Sequence, residues 1–559
     1  MKDKTWWKNG VIYHIYPRSF LDTNGDGIGD LQGIIRGLPY VRDLGANAIW
    51  MGPVFSSPQV DNGYDISDYR RIDPLFGTSE DMDTLIDTAH GLGIRVLLDL
   101  VFNHTSDRHQ WFQASRARDP EYDDFYIWRD AAADGGRPNN WGSFFTVPAW
   151  TWDEKRQQYY LHIFTPEQPD LNWENPRVRA GLADTANFWL DRGVDGFRMD
   201  VINLISKKPG LPSIPPGASP TGYFIDGPNV LDYLREFRAL LHRSEEIVLV
   251  GETPGITAEP ARRYTDPENH ALDMVLLFEH LEIDHGPGGK WDHRPVEIQK
   301  IRSVLSSWQG TLSAPYWSSL YMSNHDQPRI VSRYGNDARY RFESATALAA
   351  VFFLQRGTPI VYQGDELAMR NFPITSTEHL VDIESRNAYA HMIDEGITPE
   401  EALRLVKDVT RDNGRTPMQW STDRHAGFTT ADEPWYPVNP DFPDCNVSRQ
   451  SGERSASVLG FYRRLFTLRR EHGAVREGGF AIIPVEDPSP VVAYRRGGDD
   501  AENSVIVVAN LSDAQTSFRL PQKGFGLLLS NYESAAVPPQ NETVVLRPWE
   551  CLVVEQTRG

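Results

Sequence analysis

Short apolar runs, each closed by polar residues, recur along the first two-thirds of the chain. They lie at 11–16, 48–50, 94–100, 194–201, 247–252, 273–278, 318–323 and 359–362. Continuous apolar runs of this length suit parallel strands buried on both faces. Helical spacing fills the intervals at 31–44, 79–91 and 177–192; the first ends at Gly45, and the second follows a Thr/Ser cap and opens with acidic residues. Strand and helix alternating about every 30–40 residues predict a parallel sheet. Polar residues at the carboxyl end of strand after strand predict a (β/α)8 TIM barrel with its site at that rim.

Two stretches break the rhythm. Residues 105–172 carry Trp, Pro and Gly without a βα period and are too long for a bare loop, so they read as an inserted subdomain after the third strand. A helical insertion is expected at about 370–412. Beyond 478, short β-type runs at 491–494, 504–508 and 551–555 alternate with turn residues and predict a C-terminal antiparallel β-sandwich. The expected division is a barrel from 1–104 and 173–477, a subdomain at 105–172 and a sandwich at 478–559.

Composition narrows the function classes. A net charge of −21 over 559 residues works against nucleic acid or an anionic membrane as partner, since both reward basic patches. Cys445 and Cys551 lie far apart without metal-ligand spacing, so a reducing compartment is the simpler reading. Residues 1–10 hold no apolar signal core, and no run is long enough to span a bilayer. The expected protein is cytoplasmic, a monomer or weak homo-oligomer. Its 16 Trp, 22 Tyr and 25 Phe suit a site that packs flat faces against sugar rings.

Candidate chemistry lies where the apolar runs end. In GVDGFRMDVIN, residues 193–203, Arg198 and Asp200 sit among Val194, Phe197, Met199 and Val201. Buried polar groups need partners or a task. Alone, this pair reads as a structural ion pair. Clusters running from Asp99 to His104, from Gly251 to Pro254 and from Asn324 to Asp326 close other runs and shift the reading toward an active site. After the first strand, the loop 22–30 alternates oxygen-bearing residues with glycines, as a calcium loop does. Asp22, Asn24, Asp26, the Ile28 carbonyl and Asp30 are the expected ligands of one structural Ca2+ or Mg2+. Gly33 stands where an EF-hand has its closing glutamate, so the loop is calcium-like without being an EF-hand.

DLVFNHTS (99–106), GFRMDVIN (196–203), GETP (251–254) and SNHDQPR (323–329), in this order and spacing, resemble the four signature regions of the α-amylase family, glycoside hydrolase family 13. The segment 7–20, the DNGYD loop (61–65) and NGRTPMQW (413–420) extend the likeness over nearly the whole chain. Within the family, the likeness is to the oligo-1,6-glucosidase, dextran glucosidase and bacterial α-glucosidase group. It implies a retaining, exo-acting α-glucosidase without a catalytic cofactor. Asp200 is then the nucleophile, Glu252 the acid and base, and Asp326 the stabiliser of the distorted sugar, with the reacting carboxyls about 5–5.5 Å apart. Arg198 would hold Asp200 ionised, and the apolar run before Glu252 would keep that carboxyl protonated. His104 and His325 would bind sugar hydroxyls, Tyr64 would stack beneath the ring, and Asp61 paired with Arg415 would close the back of the pocket. Val201 after the nucleophile points to α-1,6 bonds, since α-1,4-preferring members tend to carry Thr there. The alternatives are an α-1,4-preferring maltase, or a transglucosylase or sucrose isomerase of the same family. The isomerases often carry a charged Arg–Asp-rich stretch where this chain reads IVSRYG (330–335).

Overall fold

Eight parallel strands form the centre: β1 (Ile12–Ile15), β2 (Ala48–Met51), β3 (Arg95–Leu100), β4 (Gly196–Met199), β5 (Val248–Glu252), β6 (Met274–Leu276), β7 (Ser319–Leu320) and β8 (Thr358–Tyr362). The computed structural model describes residues 5–145, 147–452, 457–498, 504–521, 524–535 and 543–556. The start of the amino-terminal segment and the end of the expected sandwich lie outside them. The strands pair in the order β6-β5-β4-β3-β2-β1-β8-β7. Ser319 Oγ donates to the Val275 carbonyl and the Tyr321 hydroxyl to that of Leu277, each at 2.6 Å, so β7 meets β6 and the sheet closes into a (β/α)8 barrel.

Side chains alternate across each strand. Ile12, Ala48, Leu97, Val248, Met274 and Ile360 form one buried cluster inside the barrel. Tyr13, Ile49, Val96, Leu98, Leu249 and Val361 belong to the larger core beneath the helices. Two residues beyond the inward apolar positions, the barrel lining turns polar: His14 follows Ile12, Asp99 follows Leu97, and Glu252 follows Val250. Register puts Arg198 beside both Asp99 and Val250. Gly196 allows that close approach, because a Cβ there would lie 2.3 Å from the Val248 carbonyl oxygen.

Local signals set the flanking helices. Leu31–Leu44 is capped by Asp30, which accepts from the Gly33 amide, and stops at Gly45 with φ 104°. Ser79–Gly91 opens with a reciprocal Thr78–Asp81 capping box. β6 and β7 are shorter than the expected 273–278 and 318–323, because residues 277–278 and 321–323 leave the ladder to turn over the barrel rim.

After β3, the helix Gln110–Arg116 packs on a three-stranded antiparallel sheet, Trp128–Arg129, Gln158–Leu161 and Trp150–Asp153. A bridge from His104 to Asp170 fastens this insertion to the barrel rim, and one from Tyr126 to Leu171 ties the insertion to itself. After β8, the helices Ile383–Asp394 and Pro399–Lys407 enclose their own apolar cluster of Ile374, Leu380, Met392, Ala402 and Val406. At the carboxyl end, five antiparallel strands face a two-stranded ribbon. Val491, Ala493, Ile506 and Val508 pack against Phe518, Val544 and Leu546 of the ribbon. The alternate residues Val492, Tyr494, Val505 and Val507 join the barrel's outer core, and the Tyr494 hydroxyl donates to the Ala350 carbonyl at 3.0 Å. Among the described residues no helix is long and apolar enough to cross a membrane.

Candidate active site

Arg198, on β4, gathers three carboxylates from three strand ends. Its Nη1 donates to Asp99 Oδ1 at 2.7 Å and to Asp200 Oδ1 at 2.6 Å, and its Nη2 lies 2.6 Å from Glu252 Oε2. All four side chains are buried. One guanidinium among three desolvated carboxylates leaves excess negative charge, and such a cluster relaxes by holding a proton. Burial pushes the Asp200 carboxyl well above its usual range; Arg198 pulls it back, while Glu252 and Asp99 push it up again. Burial likewise raises Asp99 to about 6 against the same arginine. At Val201 the chain turns with φ 35° and ψ 42°, a left-handed conformation unusual for a β-branched residue. That turn points the Val201 amide at Glu252 Oε2, 3.1 Å away.

The second half of the site is built around His325. Its ring lies nearly parallel to those of Tyr16 and Tyr64, with centroids 5.4 and 5.2 Å away. The Tyr64 hydroxyl donates to Asp99 Oδ2 at 2.9 Å and therefore accepts from His325 Nε2 at 2.7 Å, which puts the imidazole proton on Nε2. Burial lowers His325 to about 3, so the ring is neutral. Asp326 accepts from Arg415 Nη2 at 2.7 Å and Arg411 Nη1 at 3.2 Å, and lies 3.2 Å from His325 Nε2. Burial opposes ionisation of Asp326, but His325, Arg411 and Arg415 outweigh it and hold the carboxyl far below its usual range.

The pairing expected for Asp61 is corrected. Asp61 Oδ1 pairs with Arg411 Nη2 at 3.0 Å, and Arg411 is itself held by Asp382 at 2.6 Å. Arg415 is fully buried, and its fork is taken by Asp326 and by the His325 carbonyl at 3.0 Å. Arg411 stands in the pocket wall; Arg415, four residues on, lies behind it. His104 Nε2 is 3.2 Å from the Tyr64 carbonyl and 3.2 Å from Gln168 Nε2, which also donates to Asp61 Oδ2 at 3.2 Å. Burial lowers His104 to about 4.

One pocket gathers Asp61, Tyr64, His104, Asp200, Val201, Glu252 and Asp326, while Arg198, His325 and Arg415 support them from behind. Its other walls carry groups that sequence reasoning missed. Phe144, Phe145, Phe164 and Gln168 come from the insertion after β3, and Lys290 pairs with Glu384 at 2.6 Å across the mouth. Their stretches have no local period to single them out. Arg411 had a signal, since it adjoins the NGRTPMQW segment.

The loop 22–30 is occupied by hydrogen bonds of its own. Asp22 accepts from the amides of Asn24, Gly25 and Gly27 at 2.8–3.0 Å and from the Thr429 hydroxyl. Asp26 accepts from the Ile28 amide at 2.8 Å, and Asp30 from Thr23 and Gly33. Among the described residues no three acidic, His or Cys side chains converge as a metal cage.

Two carboxyls, Asp200 and Glu252, in one pocket at the carboxyl-terminal rim of a (β/α)8 barrel fit a glycoside hydrolase type of site. The chain belongs to the alpha-amylase family, whose catalytic domain matches residues 14–478. Among individual proteins, it is 46% identical over 562 residues to an oligo-1,6-glucosidase of Parageobacillus thermoglucosidasius, covering 99% of each chain. It is 42% identical to a glucan 1,6-alpha-glucosidase of Streptococcus dysgalactiae subsp. equisimilis, again covering 99% of each. The solved structure of a trehalulose synthase from Pseudomonas mesoacidophila matches with a TM-score of 0.94 at 39% identity, covering 98% of this chain and 99% of that one.

Proposed function

We propose that this protein is an exo-acting, retaining α-glucosidase that releases glucose from the non-reducing end of short α-1,6-linked glucosides. The observation that carries the exo mode is the Asp61–Arg411 ion pair at the back of a pocket holding Asp200, Glu252 and Asp326. A blind end admits one terminal sugar and orients it by its hydroxyls. The α-1,6 preference is supported by the relatives named oligo-1,6-glucosidase and glucan 1,6-alpha-glucosidase, and by Val201 in the pocket wall.

In this reading the Asp200 carboxylate attacks the anomeric carbon while Glu252 gives its proton to the departing glycosidic oxygen. A covalent glucosyl–Asp200 ester results. Glu252 then takes a proton from water, which attacks the same carbon and releases Asp200, and two inversions give net retention. The Arg198 Nη1 hydrogen bond to Asp200 favours the anion that attacks. Asp326, held ionised by two arginines, faces the positive charge that develops on the sugar ring. No step uses a cofactor.

The remaining parts of the reading rest on sequence. The oxygen-rich loop 22–30 supports one structural Ca2+ or Mg2+, held by Asp22, Asn24, Asp26, the Ile28 carbonyl and Asp30. The two distant cysteines support a reducing, cytoplasmic compartment, and the break in βα rhythm supports barrel, insertion and sandwich limits at 105–172 and 478. Glucose release from isomaltose and maltose, compared as kcat/KM, tests the central reading. A clear preference for isomaltose is expected. A preference for maltose would remove Val201 as linkage determinant, and glucose from neither would end the glucosidase assignment.

A further inference from the structure

Beneath the pocket lies a group that neither the chemistry nor the ion pairs use. His14 on β1 is fully buried, in register with Trp50 on β2 and Tyr362 on β8. Its ring stacks on the Trp50 indole, with centroids 3.6 Å and planes 6° apart. The Arg198 guanidinium lies 5.1 Å from the centre of the same indole. The edge of His14 meets His325, with centroids 5.2 Å and planes 84° apart. One ring therefore touches both halves of the site: through Trp50 it reaches the guanidinium that holds Asp99, Asp200 and Glu252, and directly it reaches the histidine that holds Tyr64 and Asp326.

Neither ring nitrogen of His14 has a protein hydrogen-bond partner, and the same is true of Trp50 Nε1, Arg198 Nε and His325 Nδ1. Buried polar atoms in a group are satisfied by internal water when the water meets both donors and acceptors. Trp50 Nε1, Arg198 Nε and Nη2 and one nitrogen of neutral His14 bring hydrogens, while the other His14 nitrogen and His325 Nδ1 bring lone pairs, since the His325 proton sits on Nε2. Burial keeps His14 neutral, with His325 and Arg198 acting in the same direction against the weaker pull of Asp326.

We propose that His14 is a positioning residue for both halves of the active site, holding His325 through their edge contact and a water molecule bound beside it at the unpartnered nitrogens of the two rings, and Arg198 through the Trp50 stack. The kinetic consequence rests on the glucosidase reading above; the water site does not. His14→Phe keeps an aromatic face for Trp50 but has no nitrogen, whereas His14→Gln keeps a donor and an acceptor. The experiment combines crystal structures of the parent and both variants with kinetics on isomaltose and an aryl α-glucoside and with thermal melting. An ordered water within hydrogen-bonding distance of His14 and His325 Nδ1 is expected in the parent and its loss in H14F. The kcat of H14F is expected to fall about tenfold with KM little changed, because reacting groups shift while most sugar contacts stay. H14Q should recover much of that kcat. Parental kcat in H14F, or a parent crystal without that water, overturns the proposal. Should H14F fail to fold, the water decides: present in the parent and in H14Q it supports the proposal, absent from the parent it overturns it. A parent inactive on both glucosides would sink the functional reading and leave the crystal to judge the water.

Discussion

Arg198 serves Asp99, Asp200 and Glu252 at once, and that crowding separates catalysis from stability. Burial raises the Asp200 carboxyl, so its ionised form costs the folded state free energy at neutral pH. Asp200→Asn should therefore lower kcat by at least about 10⁴-fold while leaving the melting temperature unchanged or higher. A kcat within tenfold of the parent would remove Asp200 from the nucleophile's role. Arg411 behaves in the opposite way. It joins Asp61, Asp326 and Asp382 in one buried network, and its removal strands at least two carboxylates. Arg411→Ala is expected to cost about 3–5 kcal/mol of stability and to raise KM for isomaltose sharply. Unchanged melting and KM would mean that the pocket is not closed by this pair. Asp61 and Arg415 were both visible in sequence, but which arginine meets Asp61 was not. Two arginines four residues apart look equivalent until the fold buries one behind the other.

Elements differ in how local their causes are. The helices Leu31–Leu44 and Ser79–Gly91 were legible to the residue, because Asp30, Gly45 and the Thr78–Asp81 box bond within a few positions of the helix ends. β6 and β7 were legible in place but not in length, since a strand ends where its neighbour stops offering partners. The turn at Val201 gave no sign at all: a β-branched residue is a poor guess for a left-handed backbone, and surrounding packing imposes it. The loop 22–30 lies between these cases, its Asx bonds local and its cation a matter of oxygens meeting in space. Asp26 is exposed and bonds only inside the loop, so Asp26→Ala should leave the barrel intact. With a bound cation, the variant should lose the metal found by elemental analysis of the parent and melt lower. No Ca2+ or Mg2+ in the parent, with melting unchanged in the variant, would retire the site.

At the scale of the whole molecule, two sets of buried groups shape stability against pH. Burial lowers His104 to about 4 and His109, His280 and His325 to about 3, so these rings stay neutral in the fold but take protons when unfolded below about pH 6.5. That stability is present above pH 6.5 and is lost as pH falls through the folded values. Burial raises Asp99 to about 6 and Asp365 and Asp412 to about 7, so these carboxyls take protons first in the fold and favour it as pH falls from about 7 to 4. The two sets oppose each other in that range. Below about pH 4 the unfolded carboxyls also protonate, and Asp326 and Asp382, held far below their usual range by Arg411 and Arg415, add their loss to that of the histidines. Melting temperature should stay nearly level from pH 7 to about 5 and drop steeply below 4. A steady decline beginning at pH 7 would show that the buried acids do not offset the histidines.

The sequence by itself determined the barrel, the insertion after β3, the carboxyl-terminal sandwich and the positions of Asp200, Glu252, Asp326, His104 and His325. Period-two alternation decides which side chains face inward, and the ends of apolar strands decide where polar ones emerge. Only the tertiary structure decided the partners: one guanidinium for three carboxylates, Arg411 rather than Arg415 for Asp61, the phenylalanine wall from the insertion and the Lys290–Glu384 pair at the mouth. Those choices join residues separated by as many as 350 positions, as Asp61 and Arg411 are. A pattern along the chain carries which groups must be buried, but the distance between two buried groups exists only once the barrel has closed around them.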